Sequence, residues 1–191
     1  MHPSIAASAE VDQAADMRFR RLYADHGRAL FAYALRRTDS PDDAAEVLSD
    51  TFLVAWRRLQ DVPSGDAARL WLYGVARRTL ANRRRGDDRR DRLGQRLRVE
   101  LAGTLDHHPA PSADALELRD ALAQLVPLDQ ELLRLTAWEG LSHREAASVL
   151  GISSLAARSR IHRARRRLRD LLDHASESTH RPSHLEPEEG R

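Results

Sequence analysis

The 191-residue chain contains no cysteine, which excludes a disulfide framework and any cysteine-ligated zinc. Lysine is missing too: all 31 basic residues are arginine. Abundant arginine beside abundant alanine is also what a GC-rich genome produces, so arginine content alone does not establish nucleic-acid binding. Aromatic residues make up only 5% of the chain. No apolar run approaches the length of a membrane span, so membrane insertion is not expected. The opening MHPSIAASAEVDQAAD lacks the basic start and apolar centre of a secretory signal, and the cytoplasm is the expected compartment. The formal net charge of +2 is modest; how the charge is segregated along the chain is the informative part.

What the chain does have is helical periodicity. Leu22, Tyr23, His26, Leu30, Phe31 and Ala34 recur at helical spacing, and Asp39-Ser40-Pro41 reads as a stop and restart. Ser40 suits an N-cap, Pro41 the first helical position, and Asp43 stands three residues beyond the cap. The second helix, to about residue 59, is predicted to pack Ala44, Ala45, Leu48, Phe52, Ala55 and Trp56. Residues 61–67, DVPSGDA, read as a loop. A third helix then has Leu72, Val75, Ala76, Thr79 and Leu80 as its buried stripe. No strand alternation appears in this block.

After Gly94 the pattern weakens, and LDHHPAPSAD (105–114) has linker composition. His107 and His108 lack the partners and spacing of a metal site and read as solvated linker. Helicity resumes with Leu116, Leu118, Leu122 and Leu125, breaks at Pro127, and continues with Leu132, Leu133, Leu135 and Trp138. The fold expected is all-α, two small helical domains joined by a flexible linker. The boundaries are 1–16 disordered, 17–93 first domain, 94–113 linker, 114–173 second domain and 174–191 disordered tail.

The second domain holds the sharpest local signal, GLSHREAASVLGISSLAARSRIHRARRRLRDLL (140–172). Ser142 and Glu145 form a capping box, and Gly151 suits a C-cap. Ser153 or Ser154 caps the next helix. Ala147 supplies the small side chain a helix-turn-helix needs under its partner helix. Ala157, Ile161, Ala164 and Leu168 form the buried stripe of the second helix. Its other face carries Ser154, Leu155, Arg158, Ser159 and His162, positions that read base edges when such a helix enters the major groove. Arg158 suits a bidentate guanine contact, His162 a polar or stacking contact, and Arg163, Arg166 and Arg167 suit phosphates. The competing reading is a helical hairpin with a solvated basic face.

The first domain adds two further faces. Opposite the stripe of its third helix lie Gly74, Arg77, Arg78, Ala81, Arg84 and Arg85, with Trp71 and Tyr73 flanking as stacking platforms or as core. The second helix carries Asp43, Glu46, Asp50, Leu53 and Val54 outward, acids beside aliphatics, which suits a protein partner.

In that combination the chain resembles the extracytoplasmic-function (ECF) sigma factors, initiation subunits of bacterial RNA polymerase. DAAEVLSDTFLVAWRRL (43–59) looks like the segment of sigma domain two that docks on the polymerase clamp. WLYGVARRTLANRRR (71–85) looks like the minus-ten helix, and GLSHREAASVLGISSLAARSRIHRARRRL like domain four, which reads the minus-thirty-five element. The resemblance implies that Asp43, Glu46, Asp50, Leu53 and Val54 contact core polymerase. It implies that the 61–67 loop, with Trp71, Tyr73, Arg77, Arg78, Asn82, Arg84 and Arg85, handles the opened minus-ten strand. Residues 154, 155, 158, 159, 162, 163, 166 and 167 would meet the minus-thirty-five element. Core RNA polymerase, promoter DNA and an anti-sigma factor are the implied partners. The chain departs from the family pattern at Ala156-Ala157, where Thr-Val is common, and at Ala45 and Val54.

The alternative is a helix-turn-helix regulator that is not a polymerase subunit, of the two-component output type. The strand pattern of a phosphoacceptor domain is missing for it. A helical enzyme acting on RNA or nucleotides would need a Gly-rich phosphate loop, a metal-ligand cluster or a Ser/His/Asp set. None is present, so no catalytic residue and no cofactor are expected.

Overall fold

The computed structural model describes residues 3–98 and 112–179, with side chains for 13–85 and 112–174. All of its regular structure is helical, with no strand among the described residues. The helices are α1 (Pro3–Leu35), α2 (Pro41–Arg57), α3 (Asp66–Arg98), α4 (Ala113–Ala123), α5 (Pro127–Ala137), α6 (His143–Leu150) and α7 (Ser154–Thr179). They divide into two compact units, the main break falling between α3 and α4.

In the first unit α1, α2 and α3 pack on one another. The α1–α2 corner forms as the local chemistry dictates. Thr38 Oγ donates to the Ala34 carbonyl at 3.0 Å and the Arg37 guanidinium to that of Tyr33 at 3.0 Å, so the end of α1 is closed by side chains. Arg37 also lies over the Tyr33 ring, 3.7 Å from its centroid. Ser40 Oγ accepts from the Asp43 N–H at 3.1 Å with Pro41 in the first turn, which satisfies an orphan donor of the new helix.

The core is made by Leu30, Tyr33 and Ala34 of α1, Ala44, Val47, Thr51, Phe52 and Ala55 of α2, and Leu72, Tyr73, Val75, Ala76 and Leu80 of α3. The inner stripe of α2 therefore differs from the expected one. Val47 and Thr51 are fully buried, Ala45 is exposed, Leu48 is half-buried and Trp56 is 46% exposed. Thr51 is tolerated there because its hydroxyl donates to the Val47 carbonyl at 2.7 Å. Between α2 and α3 a 3-10 turn (Leu59–Asp61) buries Leu59, and Val62 behind it is buried as well. Gly65 turns the chain with φ +62°, and α3 begins at Asp66, so the expected 61–67 loop is shortened at both ends.

Three boundary expectations need correction. Residues 3–16, expected to be disordered, are helical; so are 94–98 and 174–179. The reason is cooperative: a helix nucleated by packed residues continues cheaply until a stop signal, and none of these stretches contains proline after Pro3. The rest of the expected linker, 99–111 with His107 and His108, and the tail 180–191 lie outside the described residues.

In the second unit Ser112 Oγ caps α4 through the Ala115 N–H at 3.3 Å, and Pro127 opens α5. Gln130 donates to the Leu125 carbonyl at 2.8 Å, satisfying the turn between the two helices. Leu122, Leu132, Leu133, Leu135, Ala157, Ile161 and Ala164 are buried, and α7 packs on both α4 and α5.

Candidate nucleic-acid and partner interfaces

The α6–α7 corner is built from short-range hydrogen bonds. Ser142 Oγ accepts from the Glu145 N–H at 3.2 Å while Glu145 accepts from the Ser142 N–H at 2.8 Å, a reciprocal capping box. At the other end Ile152 N–H reaches the Ala147 carbonyl at 3.1 Å and Gly151 N–H that of Ser148 at 3.3 Å. These are the two bonds of a Schellman cap, with Gly151 at φ +68°. Ser153 Oγ then accepts from the Ala156 N–H at 3.1 Å, so Ser153 is the cap and Ser154 the first residue of α7. Ala147 is 1% exposed at the corner.

With Ala157, Ile161 and Ala164 buried, the opposite face of α7 is free. Ser154, Leu155, Arg158, Ser159, His162, Arg163, Arg166 and Arg167 are all exposed. Leu155 is 79% exposed, and beside Arg158 it suits an apolar contact to a thymine methyl. Arg160 does something different. Its guanidinium is held by Asp129 of α5 at 2.9 Å, so it pins the arginine helix to its scaffold.

On α3, Arg78, Asn82, Arg84 and Arg85 are exposed and Trp71, Arg77 and Ala81 are half-buried. Asn82 accepts from Arg85, and Arg84 donates to the Arg37 carbonyl at 3.4 Å. Tyr73 is a correction. It is 2% exposed and packs against the Tyr33 ring with centroids 5.1 Å apart, so it is core and not a stacking platform for a base. The 62–65 loop is tied to α1 through a hydrogen bond from Arg18 to the Val62 carbonyl.

On α2, Glu46, Asp50 and Leu53 are exposed, and Asp43 and Val54 half-buried. Glu46 and Asp43 are not free, however: Arg83 of α3 donates to them at 2.6 and 3.0 Å. The Ser40 hydroxyl and, after it, the Arg83 guanidinium hold the Asp43 carboxyl below its ordinary value of 3.8. Beside Leu53 lies an aromatic surface that the helical periodicity did not reveal. Phe19 meets Trp56 edge-on at 5.1 Å and Tyr23 meets Phe52 at 4.9 Å. Tyr23 and Trp56 are 52% and 46% exposed. The i, i+4 pair Phe19–Tyr23 was the available signal, but periodicity assigned Tyr23 to the core. In the second unit an open groove of about 460 Å³ is lined by Leu118, Leu122, Leu133, Trp138, Leu168 and Leu172.

Among the described residues no group of three or more His, Asp or Glu is placed to hold a metal. No helix there is long and apolar enough to cross a membrane. Acid-and-aliphatic helix, arginine helix and helix-turn-helix, in that order on two helical units, define a transcription protein that joins a protein partner to DNA.

The comparisons with known proteins make this specific. The Sigma-70 region 2 family matches residues 22–90 and the Sigma-70, region 4 family residues 115–168. The RNA polymerase sigma factor NccH of Alcaligenes xylosoxydans xylosoxydans is 36% identical, over 81% of this chain and 86% of its own. The ECF RNA polymerase sigma factor SigL of Mycobacterium tuberculosis is 34% identical, over 80% and 88%. The sigma factor RpoE of Bartonella quintana, solved with the anti-sigma factor NepR, superposes with a TM-score of 0.61 at 27% identity, covering 81% of this chain and 96% of that one. The chain belongs to the ECF subfamily of bacterial RNA polymerase sigma factors. As such it binds core RNA polymerase and directs it to promoters.

Proposed function

We propose that the three faces divide the work of initiation among them. Asp50 and Leu53, with Asp43, Glu46 and Val54 around them, dock α2 on core polymerase, and the Phe19–Tyr23–Trp56 surface extends that footprint with buried apolar area. Arg78, Asn82, Arg84 and Arg85, flanked by Trp71 and Arg77, handle the opened minus-ten strand together with the Pro63-Ser64-Gly65 turn. Ser154, Leu155, Arg158, Ser159 and His162 read the minus-thirty-five bases, and Arg163, Arg166 and Arg167 hold its phosphates. Residues 17–98 and 113–173 act as sigma domains two and four, joined by the chain between α3 and α4. The chain acts in the cytoplasm as a subunit without catalytic residues of its own. An anti-sigma factor that covers the apolar surfaces of the two units is the regulator this arrangement suits.

The observation that carries the reading is the α7 face. A fully capped corner presents eight exposed polar, basic or apolar side chains on a helix whose other side is core. The test is run-off transcription with purified core polymerase on fragments from upstream of the protein's own gene. Specific transcripts that depend on the added chain are expected. DNA binding of equal strength and sequence preference with core omitted would instead favour a free-standing regulator.

A further inference from the structure

Arg83 sits between residues assigned to DNA, yet its side chain points the other way. The buried stripe of α3 runs Leu72, Ala76, Leu80, and Arg83 is its next position at helical spacing. There apolar packing stops and the guanidinium takes over. Nη1 donates to Glu46 Oε2 at 2.6 Å and Nη2 to Asp43 Oδ1 at 3.0 Å, and the Arg83 side chain is 28% exposed. A guanidinium is a rigid planar fork. Two carboxylates three residues apart on α2 fill it, which fixes α3 along and around α2 at one point.

The anchor is stiff on the α2 side. Asp43 Oδ2 accepts the Ser40 hydroxyl at 2.7 Å and the Asp43 N–H donates to Ser40 Oγ at 3.1 Å, so Asp43 belongs to the N-cap. Glu46 is looser, with its side chain 64% exposed, and it lies on the face assigned to polymerase. On α3, Asn82 and Arg84 flank Arg83 in sequence and are exposed, neither reaching the two acids of α2.

We propose that Arg83 is a positioning residue that ties the polymerase-docking helix to the minus-ten helix and makes no DNA contact of its own. This rests on the docking and promoter roles proposed above. The arginine is required for its fork, not for its charge toward phosphate.

The test compares holoenzymes made with the wild-type chain, Arg83→Ala, Arg83→Gln and Arg85→Ala. Failure of the wild-type holoenzyme to initiate would refute the functional reading itself and is read separately. For Arg83→Ala we expect unchanged core affinity and roughly tenfold slower initiation, well inside the loss of about hundredfold that an ångström of misplacement can cause. Its slope of log promoter affinity against log salt should equal the wild type's. Arg85→Ala should flatten that slope by about 0.7, the value per phosphate contact on a single strand. Arg83→Gln, which keeps a donor toward one carboxylate but no charge, should initiate at an intermediate rate with the wild-type slope. Should Arg83→Ala fail to fold, Arg83→Gln decides. A flattened slope for either Arg83 variant makes Arg83 a phosphate contact and overturns the proposal. So does wild-type initiation in both, or core and promoter affinity falling together with the folded fraction.

Discussion

Replacing Gly151 by alanine isolates one backbone angle in the helix-turn-helix. Gly151 stands at φ +68°, where a Cβ crowds the following carbonyl at a cost of about 1–2 kcal/mol. A Cβ built there finds no heavy atom within 4 Å, so neither clash nor new packing changes that figure. Alanine also restricts the unfolded chain, which returns about 0.4–1 kcal/mol. The net expectation is a loss of about 1 kcal/mol. With a urea m-value of about 1–3 kcal/mol/M, the midpoint falls by roughly 0.3–1 M. Trp138 is the tryptophan of the second unit, so its fluorescence in a Trp56→Phe, Trp71→Phe background follows that unit alone. Asparagine, which tolerates the left-handed region, should lose less than alanine, and valine more. A midpoint for Gly151→Ala at or above wild type, or valine no worse than alanine, would refute the claim that this angle holds the corner.

Four further outcomes follow from the exposed faces. Arg158→Ala should relax preference at one or two minus-thirty-five positions, at about 1–3 kcal/mol per bidentate pair, while Arg163→Ala weakens binding without changing preference; transcription from a library randomised over that element separates them. Arg166→Ala with Arg167→Ala should flatten the log–log salt dependence of promoter affinity by about 1.8, since each phosphate contact contributes about 0.9, and an unchanged slope would place both in solvent. Asp50→Arg should abolish co-purification with core polymerase while leaving the helical circular dichroism intact; it is a cleaner probe than Glu46, which the Arg83 bridge engages. Because the folded-state pKa of Asp43 lies below 3.8, its stabilisation is complete above that pH and drains away as pH falls below it, so Asp43→Asn should remove that part of the acid sensitivity and change nothing in slope near neutral pH.

What the sequence disclosed and what it hid divide by the range of the interaction. The α1–α2 and α6–α7 corners were legible because their signals are local: Ser40 with Pro41, Ser142 with Glu145, and Gly151 act on backbone groups within a few residues. The long helix extensions were missed for the converse reason. Composition marks what does not pack, but only a stop signal ends a helix that is already running. The α2 stripe was misplaced because small and amphipathic residues leave its phase loosely set. Ala45 satisfies an apolar pattern at no cost when exposed, and Thr51 enters the core once its hydroxyl finds the Val47 carbonyl. Tyr73 was ambiguous on its own helix, and it is Tyr33, 40 residues away, that makes the site for its ring.

The arginines show the same division, and here it bears on function. With lysine absent, composition presents 31 cations of one kind, and helical spacing sorts them only by face. The fold sorts them by what fills the guanidinium fork. Arg37 is turned back onto the end of α1, Arg83 onto two acids of α2, and Arg160 onto Asp129 of α5. Each of these three is at least half-shielded, at the point where one helix meets another. Arg78, Arg158, Arg163, Arg166 and Arg167 are exposed, on faces that the packed stripes leave outward. A guanidinium turned inward onto a carbonyl or carboxylate is not presented to a phosphate, whereas an outward one on an ordered helix can meet an anion with two parallel donors. The scaffold arginines therefore do more than neutralise acids. At Arg83 α3 is bonded to α2 and at Arg160 α7 is bonded to α5, beside the packed stripes that seat both helices, so the outward arginines stand on helices held by apolar packing and by ion pairs together.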